Sequence, residues 1–340
     1  MHRLGSLCTG YGGLDLAAEA VLGPLEHAWH AEIDPHASTV LAHHWPATPN
    51  LGDLTAVDWT QAEPIDVLTA GYPCQPLSLA GRRAGLTDER WIWDDVIRAV
   101  RALRPRLVLL ENVAGHLSLG FGRVLGDLAA AGFDAEWGCF RASDVGAPHR
   151  RERVFIAAWP SDSPPDAGHL AGRVGVSTPG DHGVTLLPTP AARDWRSGES
   201  NIMDRNARPL NEVIVNLLPT PNAALGRGTG TPSPATATER YAQGKRFLDD
   251  AVALLPARWG QYAPAVARWQ EIIGRPAPSA TEAGTRGQRR LASAFVEWLM
   301  GLPAGWVTDH LPRNPALKCL GNGVVWQQAA HAYTELLGTR

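Results

Sequence analysis

The chain of 340 residues has almost no lysine: Lys245 and Lys318 stand alone among 31 basic residues, and the rest are arginines. It also has only four cysteines, Cys8, Cys74, Cys139 and Cys319, with no close pair among them. That spacing argues against a disulfide framework and against a zinc site, and favours a reducing, cytoplasmic setting. No apolar run approaches the roughly 20 residues that a membrane span needs. Gly, Tyr, Asp and Glu interrupt the first 20 positions, so no signal peptide is expected. Net charge is nearly absent too, at -3, which neither suggests nor excludes a nucleic-acid partner. Arginine suits phosphate and base-edge contacts, although a GC-rich genome produces the same bias together with Ala, Gly and Pro.

What is present begins with short apolar runs ending in polar residues or glycine. They lie at Leu4–Cys8, His27–Glu32, Val67–Ala70, Leu107–Leu110 and Val154–Ala158. Helical spacing separates them, over Trp91–Leu103 and over Phe121–Ala131, the latter stopped by Gly132. Strands alternating with helices predict an α/β chain with a parallel sheet. After Trp159 the composition turns to Pro, Gly and Ser, and LLPTP occurs at both 186–190 and 217–221. Residues 161–307 therefore read as a smaller, loop-rich second domain. Order returns with a short helix near Phe295–Gly301 and an amphipathic helix over Val324–Leu337. The tail is expected to rejoin the first domain, giving one unit from 1–160 plus 308–340.

In an open parallel sheet, ligands collect beyond the carboxyl ends of the strands, and the residues there carry chemistry. Thr9-Gly10-Tyr11-Gly12-Gly13 follows the first strand; its spacing does not complete the dinucleotide fingerprint, and a tight structural turn remains open. Glu32, Ile33 and Asp34 follow the second, about where a ribose-binding acid sits. Asp34 before Pro35 fits a helix N-cap, which leaves Glu32 for a ribose. Asp53 is either a further contact, to an adenine amino group, or a turn residue. The third strand ends in AGYPCQPLS, where Gly71 and Pro73 hold Cys74 in one place near Arg82 and Arg83. Cationic neighbours favour the thiolate over a buried, inert thiol. Glu111 and Asn112 end the fourth run, and a carboxyl there is paired or has a raised pKa. Arg151 and Arg153, two apart on an extended segment, are expected to point into one site while Arg150 and Glu152 face elsewhere, unless the cluster is a solvated charged turn.

Together, CTGYGGLD, EIDPHA, GYPCQPLSLAG, LLENVAGH, APHRRERVFIAA and GNGVVWQQAAHA resemble, in order, the motifs of DNA cytosine-5 methyltransferases of restriction–modification systems and phages. FVEWLMGLPAGWV resembles the segment before the last of them. The resemblance covers about 1–160 and 290–340. It implies a Rossmann-like sheet that binds S-adenosylmethionine, a double-stranded DNA substrate and a target-reading second domain. Separate partnership with a restriction endonuclease and a monomeric state are further expectations. By this resemblance Cys74 is the nucleophile, presented by Pro73. Glu111, Asn112, Arg151 and Arg153 hold the cytosine. Cys8, Gly10, Gly12, Gly13, Glu32, Ile33, Asp53, Asn322 and Val324 line the cofactor site. Gln75, Ser78, Arg82, Arg193, Arg196 and Arg227 are DNA contacts, with Arg205 and Arg208 further candidates. The loop Ser78–Arg90, with Gly81 and Gly85, suits a mobile lid. Two positions depart from the family: Cys8 stands where an aromatic residue usually stacks on adenine, and His149 where glutamine is common. The alternatives are a catalytically inactive DNA-binding homologue and a folate-dependent nucleotide methylase.

Overall fold

Two strands of nearly uninterrupted apolar residues set the centre of the molecule. In the computed structural model, β3 (Val67–Ala70) and β4 (Leu107–Val113) are buried along almost their whole length. A strand can be apolar on both faces only if both faces are covered. The structure describes residues 1–73, 92–163, 186, 187, 189, 190, 210, 255–283 and 289–338. Within it, β1 (His2–Leu7), β2 (Leu25–Ala31), β5 (Phe133–Phe140) and β6 (Arg153–Pro160) complete a six-stranded sheet of order β2-β1-β3-β4-β6-β5. The pairs from β2 to β4 are parallel.

On one face lie α1 (Gly13–Leu22) and the final helix, Trp326–Gly338, whose Ala329, Ala332 and Tyr333 pack with Leu14, Ala17 and Phe155. On the other lie α3 (Trp93–Leu103) and α4 (Phe121–Ala130), whose Val96, Val100, Val124 and Leu128 meet Leu68, Val108 and Ile156. Between β2 and β3 runs α2 (Pro35–His44), capped by Asp34, which accepts from the backbone N–H groups of His36 and Ala37. Among the described residues, no helix is long and apolar enough to cross a membrane.

Three features differ from the sequence expectation. The sheet is not all parallel, because β6 runs antiparallel to both β4 and β5. The short connection 141–152 turns the chain directly back, without the crossover a parallel pair requires. Strand β5, FDAEWGCF, was not expected at all. It is an edge strand in which only Phe133 is buried, and so it lacks the apolar run that marks its neighbours. Finally, the loop-rich region contains α5 (Ala263–Ile273), which begins beside Pro264 and ends at Gly274. Trp269 of α5 joins Phe295 and Trp298 of α6 (Ser293–Leu299) in one apolar cluster with Tyr11 and Ala142. The small β7 (Thr281–Ala283) and β8 (Arg289–Leu291) pair as a ribbon beside it. A further helix, α7 (Arg313–Asn322), precedes the last one, α8.

One buried carboxylate organises the segment leading to α7. Glu297 accepts from the backbone N–H groups of Gly305, Val307 and Thr308 at 2.7 to 2.9 Å, and from the Thr308 hydroxyl at 3.0 Å. That cradle fixes Trp306, whose indole N–H donates to the Tyr11 carbonyl and whose ring stacks on His44. Hydrogen bonds to a charged acceptor contribute about 1.5–3 kcal/mol, and stranding buried donors adds to the loss. Glu297→Ala is expected to destabilise the protein by about 3 kcal/mol in urea unfolding. Glu26→Ala, at an exposed ion pair with Arg3, should change stability by less than about 1 kcal/mol. Similar small losses in both would show that the cradle contributes nothing special.

Candidate active site

A cleft of about 360 Å³ opens beyond the carboxyl ends of β1 to β4 and is roofed by the turn between α7 and α8. Its first wall comes from the loops after β1 and β2. Gly10 and Asp34 donate their backbone N–H groups to the two oxygens of Glu32, each at 2.8 Å. Glu32 is buried, and desolvation raises its pKa in spite of those two donors. A carboxylate has about four acceptor sites, so two backbone donors leave capacity for a ligand hydroxyl. Ile33, 71% exposed, and Asp53 line the same wall. Asp53 also closes a turn, accepting from the N–H and hydroxyl of Thr55. Cys8 sits at φ 50, a left-handed conformation unusual for a residue other than glycine. Burial, then Glu32 and Asp53, push its thiol up to about 12, so it meets the cleft as a neutral group.

The second wall comes from β3, β4 and β6. The Glu111 carboxylate is 3.0 Å from Arg153 Nε. Glu111 is 8% exposed, and burial raises its pKa, with Arg153 and Arg151 opposing the rise. Asn112 donates from Nδ2 to the Tyr72 carbonyl at 3.3 Å, and its Oδ1 accepts the Val113 N–H. The Tyr72 hydroxyl is 2.8 Å from His116 Nε2, and His116 Nδ1 is 2.8 Å from the Leu119 carbonyl. A carbonyl only accepts, so Nδ1 carries the proton and the tyrosine donates to Nε2. The chain is thus held by backbone and ring immediately before Pro73, which lines the cleft.

The roof closes on the glycine loop. Tyr11 donates its hydroxyl to the Val324 carbonyl at 2.5 Å. A Cβ at Gly13 would lie 2.8 Å from that same carbonyl oxygen, and one at Gly323 would overlap the Tyr11 ring. Both glycines are therefore required by close approach. Gly12 is required twice over: its φ is 84, and a Cβ would meet the Trp45 ring at 2.5 Å.

Of the residues singled out from sequence, Cys8, Gly10, Gly13, Glu32, Ile33 and Asp53 meet Pro73, Glu111, Asn112, Arg153, Asn322 and Val324 around this one cleft. Gly12 lies behind it. Arg151 departs from the expectation that both arginines would enter the site. Its φ of 31 breaks the extended alternation. Its guanidinium instead donates to the carbonyls of Pro190, Gly321 and Gly323, pinning the roof. His149 is buried, bonds the Leu299 carbonyl through Nε2, and is pulled down to about 3 chiefly by desolvation, so it is neutral. Cys74, Gln75, Ser78, Arg82, Arg193, Arg196, Arg205, Arg208 and Arg227, and with them the loop Ser78–Arg90, lie outside the described residues. Sequence reasoning missed Tyr72, His116, Glu297 and Lys318. Lys318 lines the cleft and pairs with Asp34 at 3.0 Å; the scarcity of lysine was the one signal available.

The family model described as C-5 cytosine-specific DNA methylase matches residues 2–337. Type II methyltransferase M.HgiCII of Herpetosiphon aurantiacus is 36% identical over 162 residues, 45% of this chain and 36% of that protein. Type II methyltransferase M.NlaX of Neisseria lactamica is 33% identical over 165 residues, 47% of this chain and 52% of that protein. A DNA N-6-adenine-methyltransferase of Escherichia phage P1 is 41% identical over 142 residues, 37% of this chain and 19% of that protein. The chain thus spans about half or less of the length of these relatives. A crystal structure of Spodoptera frugiperda DNMT2 superposes with a TM-score of 0.55 at 19% identity, over 99% of each chain. At that identity the likeness is one of fold.

The raised Glu111 carboxyl has a sign that can be checked. A group whose pKa rises on folding, here above 4.5, binds more protons folded than unfolded. Its contribution to stability is complete below that ordinary value and is lost as pH rises through the folded one. Wild-type protein should therefore lose stability relative to Glu111→Gln as pH climbs above 4.5. Parallel unfolding free energies across that range would mean an unshifted carboxyl.

Proposed function

Because the chain belongs to the C-5 cytosine-specific DNA methylase family, we propose that it methylates C5 of a cytosine in duplex DNA with S-adenosylmethionine as donor. The observation that carries this reading is the single cleft. One wall holds a buried acid and a glycine loop, suited to a nucleoside; the other holds Pro73, next in sequence to Cys74, together with the Glu111–Arg153 pair. The donor supplies an electrophilic methyl group. Glu32 would bind its ribose hydroxyls, Asp53 its adenine amino group, and Cys8, Ile33, Asn322 and Val324 would enclose it. Gly10, Gly12 and Gly13 let the backbone come close.

Cytosine C5 is a weak nucleophile. In the proposed reaction the Cys74 thiolate adds to C6, which makes C5 enamine-like and able to take the methyl group as its bond to the donor's sulfonium breaks, leaving a neutral thioether. Glu111, kept above the usual carboxyl range by burial, binds N3 and the amino group and shares a proton as negative charge develops on the ring. Arg153 holds Glu111 and faces the O2 side of the base; Arg151 holds the roof. Loss of the C5 proton to water then expels the sulfur and restores aromaticity. The target atom is unreachable in a stacked duplex, so the base is flipped into the cleft. Residues 1–160 plus 308–340 perform the chemistry, and 161–307, with Arg193, Arg196 and Arg227, read the sequence. Gln75, Ser78 and Arg82 contact DNA beside the nucleophile. A separate cognate restriction endonuclease fits the Type II names of the relatives; in this reading the protein acts as a monomer in the cytoplasm. An adenine-directed reaction, as in the name of the phage P1 relative, attacks through an exocyclic amino group and needs no thiolate.

Duplex DNA carrying 5-fluorocytosine, which cannot lose the C5 proton, should trap a covalent adduct at Cys74 in the presence of donor. Cys74→Ala should abolish both adduct and methylation. Glu111→Gln should slow single-turnover methylation about 100-fold or more. A folded Cys74→Ala protein that still methylates cytosine would overturn the mechanism. Absence of adduct and product from the folded wild type across randomised targets would favour the inactive, DNA-binding homologue.

A further inference from the structure

A carboxylate and two imidazoles converge in the interior between α1 and β2, and none of the three lines the cleft. Asp15 is fully buried, and the rings of His27 and His30 are 5% and 1% exposed. Two strand residues three apart ordinarily face opposite sides of a sheet. Here β2 carries a bulge: Leu4 of β1 pairs with His27, but the next residue, Gly5, pairs with Trp29. Ala28 is the extra residue, and it returns His27 and His30 to one side.

The geometry is that of a ligand set. His27 Nδ1 lies 3.4 Å from His30 Nε2, and Asp15 Oδ2 lies 3.7 Å from His30 Nε2 and 4.0 Å from His27 Nδ1. Donor atoms about 2.0–2.2 Å from a tetrahedral metal are about 3.3–3.6 Å apart, so small side-chain rotations close the set. The Ser6 and Thr69 hydroxyls donate to Asp15 Oδ1, at 2.8 and 2.7 Å, while Oδ2 has no hydrogen-bond partner. A hydrogen bond between the two rings leaves that oxygen bare in the interior; a cation satisfies all three atoms. The surroundings fit as well. His27 Nε2 is 3.3 Å from Glu19 Oε1, the carboxylate partner that metal-bound histidines commonly have on their second nitrogen. The Trp45 ring stacks on His27 at 4.7 Å and meets His30 edge-on at 5.4 Å.

We propose that Asp15, His27 and His30 bind one divalent transition metal of the zinc class, with a fourth position for water. Two imidazole nitrogens and one carboxylate suit zinc and do not suit the all-oxygen preference of calcium or magnesium. The metal ties α1, which follows the glycine loop, to β2, which leads to Glu32, so its role is to brace the floor of the cleft. The expectation of no zinc site rested on cysteine spacing, which has no bearing on a nitrogen–oxygen set.

The full chain, stripped with a chelator, is titrated with Zn²⁺ by calorimetry and elemental analysis, and with Co²⁺ by visible absorption. One equivalent per chain and a tetrahedral Co²⁺ spectrum are expected. His27→Gln and His30→Gln should each weaken binding about 100-fold, and Glu19→Gln about tenfold. His310→Gln, in the His43–His310 stack away from this site, should bind normally. No stoichiometric binding by the wild type, binding retained in both His27→Gln and His30→Gln, or loss confined to His310→Gln overturns the proposal. Should the two histidine variants fail to fold, ¹⁵N-histidine spectra of the wild type decide: Zn²⁺ must shift the ring nitrogens of His27 and His30, and shifts only at other histidines overturn it.

Discussion

A carboxyl group at the end of a buried strand needs a cation, and the sheet is built so that one arrives. Glu111 lies opposite Phe155 in the β4–β6 ladder, and Arg153 lies opposite Val113. The two are diagonal neighbours on an antiparallel pair, within reach of long side chains. Had β6 run parallel to β4, its first residue would lie at the far end of the sheet. The reversed strand carries the start of β6 to the finish of β4, and with it Arg153 to the cleft. Burial on one side and Arg153, aided by Arg151, on the other set opposite pulls on the same carboxyl, which leaves it above the usual range while still paired with Arg153.

The second constraint is closure by the distant end of the chain. Tyr11 is the hub. Its hydroxyl reaches Val324, its carbonyl accepts from Trp306, and its ring fills the space that Gly323 leaves open. Arg151 fastens the same roof from the other side through the carbonyls of Gly321 and Gly323. Glu297 holds the segment that carries Trp306. The cleft is therefore framed by elements about 300 residues apart in sequence, joined by hydrogen bonds that each bury a polar group against a definite partner.

Much of this was legible in advance. Five of the six strands of the main sheet announced themselves as short apolar runs, clearest in β3 and β4, which are covered on both faces. The motifs at their ends named most of the cleft, because chemistry in such a sheet collects at strand termini. The edge strand β5 was invisible for the complementary reason: only Phe133 of its eight residues is buried, so no apolar run marks it. Helices α5 and α7 hid among prolines and glycines that turned out to cap and separate them. Arg151 was misdirected because two-residue alternation holds only on an extended backbone, and the backbone at Arg151 has a positive φ.

By itself the sequence determined the α/β class, the order of motifs, the family they resemble and the identity of the groups offered to the cleft. These are local properties, written in short runs and spacings. Tertiary structure alone decided that β6 is reversed, that Arg153 rather than Arg151 meets Glu111, that Tyr72 is anchored through His116, and that Asp15 converges with two histidines. Each of those depends on strand direction, a one-residue bulge or a contact between distant segments, and no local pattern of residues encodes which distant partner fills a given space.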